Sequence, residues 1–171
     1  VYEDSDLIVI NKARGMVVHP APGNYSGTLV NALLYRCDDL SDINGMIRPG
    51  IVPRIDKDTT GLLVVAHTNN THISLSEQLK THDIKREYIA VAEGIVNENS
   101  GIINLPIGRH PVDRKKMAVR TENSKEAITH YKVLERFKDY TYIECQLETG
   151  RTHQIRVHMS SIGHPLLGDE I

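Results

Sequence analysis

The sequence predicts an α+β fold built on a largely antiparallel, mixed β-sheet with flanking helices and loops. Three observations predict it. Apolar runs of strand length outnumber amphipathic stretches of helix length. Neighbouring runs are linked as hairpins, most clearly residues 126–137 and 140–148, where Thr141, Ile143, Cys145 and Leu147 alternate with Tyr142, Glu144, Gln146 and Glu148. No internal repeat or low-complexity linker interrupts the 171 residues, a length that fits a single domain over 1–171.

Leu7-Ile8-Val9-Ile10 is a short apolar run between acidic residues and Asn11-Lys12, and reads as a strand. Residues 16–27, with Pro20, Pro22, Gly23 and Gly27, form a loop. Thr28 is positioned as the N-cap of a helix through Tyr35, with Leu29, Ala32 and Leu33 on one face. Residues 36–53 hold Asp38, Asp39, Asn44, Gly45, Pro49 and Gly50 and predict a long surface loop. Leu62-Leu63-Val64-Val65-Ala66 is nearly continuously apolar, as a central strand should be. A helix is expected over 72–82 with Ile73, Leu75 and Leu79 inward. Tyr88-Ile89-Ala90-Val91-Ala92 predicts a strand in which Ile89 and Val91 face a core layer and Tyr88 and Ala90 the opposite side, followed by a break through Gly101 and a strand toward Ile107. Phe137-Lys138-Asp139-Tyr140 is the hairpin turn, and a last helix over 152–162 would bury Ile155, Met159 and Ile162.

The composition, 40% hydrophobic and 25% charged, excludes collagen-like, low-complexity and wholly disordered chains. No segment is long and apolar enough to span a bilayer, so no membrane partner is expected. Two cysteines, Cys37 and Cys145, are too few for a disulfide framework or a thiolate zinc site, and are read as buried or inert thiols of a reducing, cytoplasmic compartment. The first residue is not Met and the last are Gly168-Asp169-Glu170-Ile171, so the chain is expected to be a piece of a longer protein.

The net charge of −2 argues at first against a nucleic-acid partner. Its distribution argues the other way. Arg109, Arg114, Lys115, Lys116 and Arg120 face only Asp113 within residues 109–120, and Arg151 and Arg156 stand without an acid in residues 151–164. A chain polarised in this way can present a cationic surface to a polyanion while staying nearly neutral.

Arg54-Ile55-Asp56-Lys57-Asp58-Thr59-Thr60-Gly61 puts four charges and two hydroxyls in a loop immediately before a buried strand, a place where catalytic groups tend to sit. Asp58 can close an Asx turn onto the following residues, leaving Asp56 to project. Taken alone, the segment is equally a solvated turn. His153 and His158 are five residues apart, about 140° around a helix, which is not the i, i+4 spacing of a zinc pair, so no metal is expected there. From the residues alone, the reading stops at a polyanion-binding α+β domain with a charged loop of catalytic character.

The 54–61 loop resembles the catalytic loop of the RluA-type pseudouridine synthases, His-Arg-Leu-Asp-Lys-Asp-Thr-Ser-Gly-Leu, with Pro53, Ile55 and Thr60 as departures. Lys85-Arg86-Glu87-Tyr88 is similar to the family's tyrosine motif, Gly150-Arg151-Thr152-His153-Gln154-Ile155-Arg156-Val157-His158 to its arginine motif, and Gly163-His164-Pro165-Leu166-Leu167-Gly168-Asp169 to its closing signature. The Val18-His19-Pro20-Ala21-Pro22-Gly23 run resembles the RluD-like branch, which acts on large-subunit ribosomal RNA.

The resemblance implies isomerisation of uridine to pseudouridine within RNA, with no cofactor and no metal. It implies Asp56 as the catalytic carboxylate, adding to the base or acting at the ribose. Arg151 would be its counter-cation, because a guanidinium engages a carboxylate at two points and holds its pKa down. Tyr88 would stack on the uracil. Arg54 would contact phosphate or fill the stack left by the flipped base. Lys57, Arg114, Lys115, Lys116 and Arg156 would bind flanking phosphates, with His153 donating a hydrogen bond nearby. His158 is expected to be structural. The expected partner is RNA, ribosomal first and transfer RNA second, and the expected state is a monomer lacking the family's N-terminal S4-like domain and its C-terminal end. Two other functions compete: an RNA-binding or ribosome-assembly module without catalysis, and a phosphoesterase holding a divalent ion on Asp56, Asp58 and Asp4 or Asp6.

Overall fold

The computed structural model describes residues 1–37, 40–43 and 50–169. Asp38, Asp39, Asn44, Gly45 and Pro49 of the expected 36–53 loop lie outside these, as do Glu170 and Ile171. The chain divides into two compact units, Val1–Asp83 and Ile84–Ile171. The fold is α+β, and every strand pair among the described residues is antiparallel.

In the first unit, β1 (Tyr2–Glu3), β2 (Leu7–Lys12) and β3 (Gly61–Ala66) form a sheet in that order. Helix α1 (Leu29–Arg36) starts where expected: the Thr28 N–H donates to Asn31 Oδ1 at 3.0 Å and the Asn31 N–H to Thr28 Oγ1 at 3.3 Å, so two of the helix's orphan donors satisfy each other's residues. Its buried Leu29, Val30 and Leu33 join Ile8, Val18, Ile51, Leu63 and Val65 in one core. Helix α2 (Asn69–Lys80) departs from expectation. Thr68 caps it three residues earlier, and its inward stripe is His72, Leu75 and Leu79, while Ile73, about 100° round from His72, is 60% exposed.

In the second unit, β4 (Glu87–Glu93), β5 (Ser100–Asn104), β9 (Ile128–Arg136) and β10 (Tyr140–Leu147) form a sheet ordered β4-β10-β9-β5. A smaller sheet joins β6 (Ile107–Arg109) to β7 (Met117–Val119) on one side and β8 (Ser124–Lys125) on the other. The predicted alternation of β10 holds: Thr141, Ile143 and Cys145 are buried, and a bulge between Tyr142 and Ile143 shifts the pairing with β9. The face of β4 is the reverse of the expected one. Tyr88, Ala90 and Ala92 lie opposite Cys145, Ile143 and Thr141 and share their core, whereas Ile89 lies opposite Glu144 and is 61% exposed.

Helix α3 (Gln154–Ser161) is shorter than predicted, because His153 takes a left-handed φ of 56° at its start. Its buried residues are Gln154, His158 and Met159; Ile155 is half-buried, and Ile162 lies beyond the helix and is exposed. The closing signature covers the outer edge of β4, where the Glu93 N–H donates to the Pro165 carbonyl and the Leu167 N–H to the Val91 carbonyl, both at 2.8 Å.

Candidate functional site

In the first unit the 54–61 loop is held from below by a lysine. Lys12 closes β2 with its ammonium buried, donating to the carbonyls of Ala13 at 3.0 Å, Met16 at 2.8 Å and Lys57 at 2.9 Å. Three carbonyl dipoles take the place of water around the charge, and the Gly15 N–H adds a second bond to the Lys57 carbonyl at 3.0 Å. Burial pulls the Lys12 pKa down, while the carboxylates of Asp58 and Asp56 pull it up. The loop thus presents Asp56 half-buried near a fixed positive charge, with Arg54 and Lys57 exposed on either side.

The turn itself is closed by backbone, from the Thr59 N–H to the Asp56 carbonyl at 3.2 Å. Asp58 does not form the expected Asx turn; its exposed carboxylate lies 3.8 Å from Arg14 Nε. Asp4 is a turn former, accepting from the N–H groups of Asp6 and Leu7 at 2.8 Å each. Among the described residues the metal-capable cluster is a different one, Glu3, Cys37 and His67, and there Arg36 Nη2 already binds Glu3 at 2.6 Å.

In the second unit the arginine motif follows β10 as a turn with a buried support. Gln154 Oε1 accepts from the Arg151 N–H at 2.9 Å and from Thr149 Oγ1 at 2.8 Å, while its Nε2 donates to the Ile128 carbonyl and to Thr129 Oγ1, both at 3.0 Å. His158 continues the network, with Nδ1 against Thr129 Oγ1 and Nε2 against the Leu105 carbonyl, both 2.9 Å. Burial holds its pKa below the usual imidazole value, so its expected structural role is what the geometry supports. Arg151 Nε donates to the Glu126 carbonyl at 2.8 Å. Tyr88 is half-buried on the core side of β4.

The expected phosphate contacts fall into two groups. Arg114 and Lys115 are exposed on the loop joining β6 to β7, which is braced from within: Arg109 Nη1 donates to the Arg114 carbonyl and Arg120 Nη1 to the Arg109 carbonyl, both at 3.0 Å. Lys116, His153 and Arg156 line an open cleft of about 240 Å³ together with Ser160 and Asp169. Arg156 is not simply presented to solvent in that cleft. Its Nε and Nη2 form a two-point pair with Asp169 at 2.7 and 2.6 Å, which ties α3 to the closing signature.

Cys145 is a buried free thiol whose pKa is pushed up to about 12 by burial and by Glu144, and Cys37 is a half-buried one. Lys12 and Gln154 are the supporting residues that reading the sequence missed. Lys12 carried a signal, a lysine ending an otherwise apolar strand; Gln154 carried none beyond its place in a motif.

Comparisons with known proteins give the family. The family model for RNA pseudouridylate synthases matches residues 6–161. The chain belongs to that family. It is 60% identical, over 98% of its length and 55% of the relative's, to a Bacillus subtilis (strain 168) protein named uncharacterized RNA pseudouridine synthase YlyB. It is 55% identical, over its whole length and 54% of the relative's, to the ribosomal large subunit pseudouridine synthase D of Zymomonas mobilis. The chain therefore spans about half the length of the curated relatives it matches. Among solved structures it resembles human RNA pseudouridylate synthase domain containing 1, with a TM-score of 0.80 at 28% identity, covering 99% of this chain and 66% of that one.

Proposed function

We propose that the chain is the catalytic part of an enzyme converting specific uridines of large-subunit ribosomal RNA to pseudouridine, working as a cytoplasmic monomer without a cofactor. Asp56 is the catalytic carboxylate, Arg151 its counter-cation, and Tyr88 the residue that stacks on the uracil. In the reaction the C1'–N1 bond breaks, the uracil turns, a C1'–C5 bond forms, the C5 proton leaves and N1 gains a proton. The net change is zero in atoms and electrons, so neither redox partner nor co-substrate is required. Arg54 is proposed at the flipped base, and Lys57, Arg114, Lys115 and Lys116 at the flanking phosphates.

The observation that carries the reading is the clamped Asp56 loop in a chain of this family: a half-buried carboxylate on a loop whose backbone is fixed by the buried Lys12. Ribosomal RNA is favoured because relatives at 53–56% identity are named ribosomal large subunit pseudouridine synthase D.

The test incubates the protein, in chelator, with total RNA from a synthase-deficient cell and maps new pseudouridines by carbodiimide-dependent primer extension, with Asp56→Asn in parallel. New sites in large-subunit RNA with the wild type alone support the reading; sites in transfer RNA alone would move the substrate assignment. RNA cleavage that chelator abolishes would favour the phosphoesterase. Binding without product would favour the non-catalytic module.

A further inference from the structure

Arg86, at the entry to β4, is the one arginine among the described residues whose buried Nε has no hydrogen-bond partner. Its other end is anchored through Nη2. Nη2 donates to the Glu148 carbonyl at 2.5 Å, and the Arg86 carbonyl accepts from the Leu147 N–H at 3.0 Å, so the residue is tied at both backbone and side chain to the last residues before the arginine motif. Nη1 reaches over Gly150, where an added Cβ would stand only 2.7 Å from it. A residue with a side chain at position 150 would displace the guanidinium, which gives that glycine a steric reason.

The charge of Arg86 is also placed unusually. Among the described residues no carboxylate pairs with it: the Glu148 side chain is turned to His130 on β9, and the groups whose charge acts on Arg86 are Tyr88 on β4 and Arg151 on the turn. Burial lowers the Arg86 pKa, Tyr88 opposes that, and the like charge of Arg151 adds to it. A half-buried guanidinium kept beside another guanidinium costs free energy, and it persists where the surrounding contacts fix it.

We propose that Arg86 is a positioning residue for the isomerase reaction: through the Glu148 carbonyl and Gly150 it fixes the turn that carries Arg151. The proposal rests on the isomerase reading above. Two arginines converge on one end of the unit, one anchoring the backbone and the other carried by it.

The test uses the intact protein and a large-subunit ribosomal RNA transcript, with Arg86→Met, Arg86→Lys, Gly150→Ala and the Arg86→Met/Gly150→Ala double variant. The first readout is the single-turnover rate at saturating RNA, with affinity measured separately. The second needs no activity: the hydrogen-exchange protection of the Arg151 amide, which donates to Gln154 Oε1 within the turn. Arg86→Met should slow turnover about 10- to 100-fold, the loss expected for a charge-assisted hydrogen bond, while RNA affinity changes by less than about 3-fold. The Arg151 amide should exchange faster in Arg86→Met, and Arg86→Lys, which keeps a donor and the charge, should recover part of the rate and of the protection. Gly150→Ala should slow turnover too, and the double variant should be no slower than Arg86→Met, because both disturb one contact. Wild-type turnover in Arg86→Met, unchanged exchange of the Arg151 amide, or losses that multiply in the double variant would each overturn the proposal. If the wild type itself forms no pseudouridine, the isomerase reading falls, and the positioning role falls with it, whatever the amide exchange shows.

Discussion

The ammonium of Lys12 and the carbonyl of Lys57 meet at 2.9 Å, joining the end of a core strand to a loop 45 residues later. The bond matters because of what surrounds it. Lys12 is buried, so its charge is answered only by carbonyl dipoles and by the more distant Asp56 and Asp58, and the loop cannot move without exposing that charge or stripping it of donors' partners. The loop bearing the candidate carboxylate is therefore tied to the end of the strand beneath it.

Replacing Lys12 by Met keeps the stem and removes the donors. Three carbonyls lose the lysine's hydrogen bonds at once, and of them the Lys57 carbonyl keeps the Gly15 N–H. A buried acceptor left unpaired costs about 1–3 kcal/mol, so the variant should lose about 2 kcal/mol or more in urea unfolding. Turnover should fall further than the residual folded fraction explains. An equally stable and active Lys12→Met protein would contradict the clamp.

For Asp56→Asn we expect turnover to vanish while RNA binding largely survives, read by product mapping and filter binding on one preparation. Substantial product from the variant would remove Asp56 from the mechanism. Arg151→Ala should lose activity and also order in its turn, because its Nε bond to the Glu126 carbonyl goes with it; a wild-type rate across pH would count against the counter-cation role.

Arg156 divides a structural prediction from an RNA-binding one. Its pair with Asp169 has both side chains less than one-fifth exposed, so it is worth more than a surface ion pair. Arg156→Ala should destabilise the second unit by about 1–3 kcal/mol, and Asp169→Asn should do much the same. If Arg156 instead acts mainly on phosphate, RNA affinity will fall in Arg156→Ala and stay at the wild-type level in Asp169→Asn.

The strands are legible where burial and alternation agree, as in β10, and the α1 start is legible because Thr28, a capping residue, stands immediately before the Leu29, Ala32 and Leu33 face. The misjudged faces have one cause. A strand pattern such as Tyr88-Ile89-Ala90-Val91-Ala92 is apolar on both sides, so the partner strand decides which side is core, and β10 gives that role to the Tyr88 side. Helices α2 and α3 were misjudged because polar residues took inward positions: His72, Gln154 and His158 are buried. Gln154 and His158 have partners 25–53 positions away along the chain, out of reach of any periodicity. Motif residues announced the site, whereas their supports, Lys12, Arg86 and Gln154, became recognisable only through hydrogen bonds to distant carbonyls.

Buried neutral histidines predict how stability responds to acid. Burial lowers the pKa of both His158 and His72 below the usual value of 6.5. Below that value the unfolded chain binds protons that the folded chain refuses, so unfolding free energy rises with pH there. The stability contributed by keeping these rings neutral is complete above pH 6.5 and is lost as pH falls through it toward the folded-state values. Urea unfolding at pH 7 and pH 5 should show the loss. His158→Gln should be less stable at pH 7 yet lose less on acidification, and an unchanged pH slope would contradict a neutral buried His158.

The β6–β7 loop gives the last prediction, because its cations do two different things. Arg109 and Arg120 spend hydrogen bonds on the loop's own carbonyls, while Arg114 and Lys115 are exposed and Lys116 lines the adjacent cleft. A phosphate contact releases counterions, so each one lost should lower the slope of log affinity against log salt by about 0.7–0.9. The triple variant Arg114→Ala/Lys115→Ala/Lys116→Ala should therefore reduce that slope by about 2 and weaken all RNA sequences alike, leaving the melting temperature unchanged. Arg109→Ala should do the opposite, loosening the loop with a smaller change of slope. If the triple variant keeps the wild-type slope, the loop does not lie on the RNA.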